Sequence, residues 1–297
     1  MKFKSNIRAA GHSIGGLVYA GAALLMTFSA SAQNLFVANN VGGTVLKFTS
    51  GGAQSTFASG VNPQGLAVDS AGDVFEADGN SGNIYEFTPG GAQSTFATGL
   101  QYPSGLAFNS AGDLFVANFN SGVITEFTPG GTPSIFASGL SKPDALAFNS
   151  AGNLFVGGQG SDNIYEFTPG GASSIFASGV FPEGMAFNNA GNLFVSDEGT
   201  YTIVEFTPGG TESPFASGLI QPIGLAFNSA GNLFVADRGD TIYEYTPGGT
   251  QSVFATGIDQ PGAIAFQPVP EPSTLALLAV AATALLGRRP KTAIRPG

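Results

Sequence analysis

The 297-residue chain has no cysteine and no tryptophan, and its one histidine is His12. Without cysteine there is no disulfide framework, no thiol nucleophile and no thiolate-bound zinc. His12 lies in an N-terminal leader, so the rest of the chain has no imidazole for general-base catalysis or metal ligation. Cations are also scarce, with 10 Lys and Arg against 20 Asp and Glu. Phosphate backbones are held by clustered cations, so this balance excludes nucleic acid as a partner. Gly-x-Ser-x-Gly occurs only inside that leader, as Gly11-His12-Ser13-Ile14-Gly15, and His-Glu-x-x-His, P-loop and EF-hand patterns are missing. No apolar period of helical length occurs. Glycine is abundant, at 44 residues, but follows no three-residue period, which excludes a collagen-like rod. The length suits either two average domains or one all-β propeller of about 200–250 residues.

The two ends differ in character from the middle. Lys2, Lys4 and Arg8 precede an apolar stretch from Ile14 to Phe28, and Ala30-Ser31-Ala32 offers small residues for cleavage before Gln33. Residues 1–32 therefore read as a signal peptide removed by signal peptidase. The stretch contains glycines and is short for a permanent membrane span. At the other end, Pro270-Glu271-Pro272 precedes an apolar run from Leu275 to Gly287, followed by Arg288, Arg289 and Lys291. That run barely spans a bilayer, and its basic cap would stay cytoplasmic.

This three-part tail, residues 269–297, resembles the PEP-CTERM sorting signal of Gram-negative bacteria. The resemblance implies recognition by an exosortase, a transient membrane tether, processing near Pro270, and release to the cell surface or extracellular matrix. A plain C-terminal anchor is the alternative. Between the ends, residues 33–268 carry Lys47, Lys142 and Arg238 against 19 acids, a net charge of −16.

That middle is one repeat. Leu35-Phe36-Val37-Ala38 returns at Val74, Leu114, Leu154, Leu193 and Leu233, at spacings of 39 or 40 residues. A period of this size signals stacked supersecondary units. Each unit holds four short apolar segments. In the unit starting at Pro63 they are 65–68, 74–77, 84–87 and 94–97. Asp69 to Asp73 form a tight turn between the first two. Thr88-Pro89-Gly90-Gly91 suits a type II turn between the last two. Four antiparallel strands make a propeller blade. Each segment type occurs six times, but the chain starts on a second strand and ends on a first strand, Ala263–Phe266. Pairing the two ends completes a sixth blade and closes an all-β, six-bladed propeller without exposed edges. An alanine recurs in all six first strands (Ala67 through Ala265), where the taper toward the axis favours a small side chain.

The pattern Pro-x-Gly-Leu-Ala-Phe followed by Gly-Asn-Leu-Phe-Val-Ala-Asp resembles NHL-type repeats. It is also similar to the propellers of the gluconolactonase/senescence-marker-protein class and of streptogramin lyase. The resemblance covers nearly all of 33–268. It implies the architecture more than an activity, since such propellers host many functions. Streptogramin lyases and paraoxonase-like hydrolases need a histidine that the body of this chain lacks.

The copies diverge on one face of the ring. The residue after the first-strand proline is Gln64, Ser104, Asp144, Glu183, Ile223 and Gly262 in turn. The loop after the second strand starts with Asn39, Asp78, Asn118, Gly158, Asp197 and Asp237. These twelve are expected to ring the channel mouth. Gluconolactonase-like enzymes hold a divalent cation at the first-strand starts. The resemblance matches Asp144 and Glu183 to ligand types, while Ser104, Ile223 and Gly262 depart from the pattern. Crowded carboxylates at Asp144, Glu183, Asp197 and Asp237 suggest a weak calcium or magnesium site. Glu86, Glu126, Glu166, Glu205 and Glu244 recur at one third-strand position, with Lys47 in the closing blade. A residue repeated around the ring cannot converge on one site, so these read as structural or solubility features. Three functions stay open: a non-catalytic surface or matrix propeller binding glycan or protein, a metal-dependent lactonase-like hydrolase, and a purely structural matrix component.

Overall fold

The computed structural model describes residues 33–269. The leader and all but the first residue of the sorting tail lie outside the described residues. The described chain forms 24 strands in six four-stranded antiparallel sheets, with no helix among the described residues. Blade I combines Pro261–Phe266 with Leu35–Asn39, Thr44–Phe48 and Gln54–Ser59. Blades II to VI follow in chain order, with first strands Pro63–Val68, Pro103–Phe108, Pro143–Phe148, Pro182–Phe187 and Pro222–Phe227.

The ends meet as expected. Leu35 pairs with Phe266, Phe36 with Ala265 and Val37 with Ile264, and a bulge precedes the Asn39–Pro261 pair. Flanking contacts lengthen the seam: Gln267 N donates to Asn34 O at 2.9 Å, and Asn34 Nδ2 donates to Gln267 Oε1 at 2.7 Å.

Local chemistry accounts for the turns. Asp69 Oδ1 accepts from Ala71 N at 2.9 Å and from Asp73 N at 2.8 Å, and Asn109, Asn149, Asn188 and Asn228 do the same in their blades. The Thr-Pro-Gly-Gly turn differs from the type II expectation. Gly91, not Gly90, takes a positive φ of 85°, and Gly91 N donates to Thr88 O at 2.8 Å. This is a type I turn closed by a left-handed glycine, a twist that suits a hairpin.

The core lies between blades. Ala67, Phe75, Ala77 and Ile84 of blade II pack with Leu106, Leu114, Val116 and Phe127 of blade III, and equivalent clusters recur around the ring. Phe75 meets Phe96 of its own blade at 5.1 Å and Phe108 of the next at 5.0 Å, both edge-on. Such pairs contribute about 0.5–1.5 kcal/mol each beyond area burial. The recurring alanines belong to these interblade clusters. Closest approach near the axis falls instead two residues earlier: a Cβ on Gly65 or Gly105 would lie 1.8 Å from the carbonyl oxygen of Ser104 or Asp144. First strands therefore converge tightly enough that their starts share one mouth.

Candidate functional site

That mouth is a cavity of about 530 Å³. Its floor is apolar, because Leu66, Leu106, Leu146, Met185, Leu225 and Ile264 point to the axis from equivalent first-strand positions. Gln64, Ser104, Asp144, Glu183, Ile223 and Gly262 all line it, as the sequence led us to expect.

The loop-start residues Asn39, Asp78, Asn118, Gly158, Asp197 and Asp237 do not line this cavity. Most of them clamp the backbone instead. Asp78 Oδ2 accepts from Asn62 N at 3.0 Å, and Asp78 Oδ1 accepts from Ser81 N at 2.8 Å. Asn118 Oδ1 accepts from Gln101 N at 3.3 Å, and Asp197 Oδ1 accepts from Phe181 N at 3.0 Å. Asp237 accepts from Ile220 N at 3.0 Å and from Gln221 N at 2.6 Å. Asn39 donates to Thr44 Oγ1 at 3.2 Å. Each clamp of this kind ties the segment entering a blade to the end of that blade's second strand.

Successive side chains at a strand end point to opposite sides, so the next residue faces the axis. Asn40, Phe119, Gln159 and Arg238 line the cavity. Glu198 holds the same place in blade V, and its Oε1 accepts from Gln221 Nε2. Reading the loop starts as mouth residues missed these positions by one. The sequence holds only a contrast in composition, which does not say which of two neighbours faces the axis: clamp residues are mostly Asn or Asp, whereas the following residues are Asn40, Gly79, Phe119, Gln159, Glu198 and Arg238.

The cavity has two unlike walls. Blades IV to VI supply Asp144, Gln159, Glu183 and Arg238. Gln159 Nε2 donates to Asp144 Oδ2 at 2.6 Å and to Glu183 Oε1 at 2.8 Å. Burial pushes the Asp144 carboxyl up to about 6; a Ser104 hydrogen bond and the Arg238 charge oppose this, and Glu198 adds to it. Glu183 is raised further, first by burial and then by Asp144 and Glu198, against Arg238. Arg238 Nε is buried without a hydrogen-bond partner.

Blades I to III supply the uncharged wall, with Asn40, Gln64, Tyr102, Phe119 and Asn120. Tyr102 OH donates to Gln64 Oε1 at 3.3 Å, and the Tyr102 and Phe119 ring centroids are 5.8 Å apart. Lys142 Nζ lies 5.6 Å from the Phe119 centroid. Tyr102 and Lys142 both have positive φ, 57° and 48°, immediately before a proline. Such backbone costs about 1–3 kcal/mol and persists only where its surroundings enforce it.

A divalent cation fits this donor set poorly. Calcium takes about six to eight oxygens and magnesium a near-octahedral shell. Here two carboxyls face an amide N–H and a guanidinium, while Asp197 and Asp237 are engaged by backbone N–H groups. No group of three His, Cys, Asp or Glu suited to a metal occurs among the described residues.

Residues 268–289 match the PEP-CTERM protein-sorting motif. That motif is an exosortase recognition signal and marks the chain for export to the cell envelope or beyond. No curated protein sequence matches the chain. Among solved structures, a nidogen/laminin complex chain is similar at 19% identity and a TM-score of 0.73, over 81% of this chain and 99% of that one. A gluconolactonase from Xanthomonas campestris is similar at 16% identity and a TM-score of 0.62, over 67% and 77%. Virginiamycin B lyase from Staphylococcus aureus is similar at 18% identity and a TM-score of 0.58, over 68% and 73%. At these identities the likeness is one of fold, the six-bladed propeller, not of activity.

Proposed function

We propose that the protein is an exported, non-catalytic binding propeller of the Gram-negative cell surface or extracellular matrix, with its ligand site at the channel mouth. The observation that carries this reading is where the repeats diverge. Turns, interblade packing and the apolar floor recur nearly unchanged, while the rim positions above that floor, after each first-strand proline and after each clamp residue, differ in every blade and surround one cavity. Scaffold positions repeat because each blade meets the same neighbours; a mouth made of unlike residues recognises something asymmetric. In this reading the leader is removed before Gln33, and the tail tethers the chain until exosortase cuts near Pro270.

The second reading is a lactonase-like hydrolase, favoured by the Asp144–Glu183 pair and by the gluconolactonase fold likeness. A lactone-hydrolysis assay with added calcium or manganese separates the two. The binding reading expects no turnover, together with ligand binding that mouth substitutions weaken. Metal-dependent turnover abolished by Asp144→Asn would replace it with the hydrolase.

A further inference from the structure

We propose that the channel mouth receives the chain end of a neutral saccharide, its ring face set against Tyr102 and Phe119 and its hydroxyls toward Gln159, Asp144, Glu183 and Arg238. This inference rests on the binding reading above and names the ligand class for the same site.

The cavity is an open-mouthed depression ringed by six first strands over an apolar floor. That shape accepts the end of a chain and not its middle, and about 530 Å³ lies within the size range of small-ligand sites. A sugar ring has the same two-sidedness as the walls. Its C–H face is apolar, and its rim carries hydroxyls that each donate and accept. The rings of Tyr102 and Phe119 meet the first need. Side chains with two adjacent polar atoms meet the second, because carboxyl, carboxamide and guanidinium groups match neighbouring hydroxyls as pairs.

Other ligand classes leave a group unmatched. An anion faces Asp144, Glu198 and the −16 body. A simple cation meets the Arg238 charge in the same wall. An apolar ligand covers the Arg238 guanidinium, whose Nε already lacks a partner, and offers it no acceptor in return. A neutral polyol supplies an acceptor for Arg238 and donors for Asp144. It also replaces the single Gln159 amide that now serves two carboxyls. Burial raises the Glu183 carboxyl, which favours its protonated form as a donor beside the Asp144 acceptor.

The test is calorimetric titration of the exported protein with neutral oligosaccharides: linear glucan, mannan and galactan fragments. A uronic-acid oligosaccharide and a diamine form the anionic and cationic arms. The expected result is saturable binding of at least one neutral oligosaccharide and of neither charged probe. Binding should weaken about tenfold or more in Phe119→Ala and in Gln159→Leu, with melting temperatures near wild type. Should Phe119→Ala fold poorly, Gln159→Leu alone carries the comparison. No binding of neutral oligosaccharides at millimolar concentration, or binding that both variants leave unchanged, overturns the proposal. Binding of the diamine or the uronide, weakened by the same variants, overturns the saccharide assignment while leaving the mouth a binding site. Lactone turnover would overturn the binding reading itself.

Discussion

Leu66 and Glu76 are direct cross-strand partners in blade II, and both side chains are buried. Glu76 is 0% exposed, and neither carboxyl oxygen has a hydrogen-bond partner. The other five blades place valine there: Val37, Val116, Val156, Val195 and Val235. Burial, and then the Asp78 charge, pushes the Glu76 carboxyl up from 4.5 to about 8. A folded-state value above the unfolded one stabilises fully below the unfolded value and is lost as pH rises toward the folded value. The loss runs at about 1.4 kcal/mol per pH unit. Wild-type melting temperature is therefore expected to fall between pH 4.5 and about 8. Glu76→Val should raise stability at pH 8 and flatten that slope. Asp144 and Glu183, raised in the same direction, keep the slope from vanishing. Parallel pH slopes for wild type and variant would count against a neutral buried Glu76.

The seam of blade I should govern integrity of the whole ring. A chain ending at Gly257 lacks Pro261–Phe266 and leaves Leu35–Asn39 as an unpaired edge. Light scattering during a thermal ramp should show earlier unfolding and aggregation. A truncated protein that melts like the intact one would contradict closure.

Gly105→Ala should destabilise by about 1–3 kcal/mol, because its Cβ would overlap the Asp144 carbonyl oxygen. Blade IV already has Ala145 at this position, so Ala145→Gly should cost less. Urea midpoints of the two variants give the comparison.

Asp237→Ala should cost about 1–3 kcal/mol, because two charge-assisted hydrogen bonds from the part-buried backbone N–H groups of Ile220 and Gln221 are lost. Millimolar calcium or magnesium should leave the wild-type melting temperature unchanged, since a cation that binds only the folded state must raise it. A cation-dependent rise that Glu183→Gln abolishes would restore a metal to the mouth.

Intact-mass analysis of secreted material should find a chain starting near Gln33 and ending near Pro270. A mass retaining residues 275–287 would point to a permanent anchor.

Much of the architecture was legible in the sequence because it is local and repeated. Turn chemistry at Asp69–Asp73 and Thr88–Gly91, an apolar segment every 39 or 40 residues, and a first-strand segment left over at the end suffice for blade count and closure. Gln64, Ser104, Asp144 and Glu183 were found at the mouth because each follows a proline that marks the start of its strand. The other half of the site was not legible. Asp197 and Glu198 are neighbours in the chain, yet one clamps Phe181 N while the other exchanges a hydrogen bond with Gln221. Which of two adjacent residues faces the axis depends on how a strand end is rotated against the next blade, and no local pattern records that rotation. Glu76 shows the same division. The sequence marks it as the one departure from valine. Only the packing of blade I against blade II leaves its carboxyl buried without a hydrogen-bond partner, because burial belongs to the surrounding blades and not to the residue.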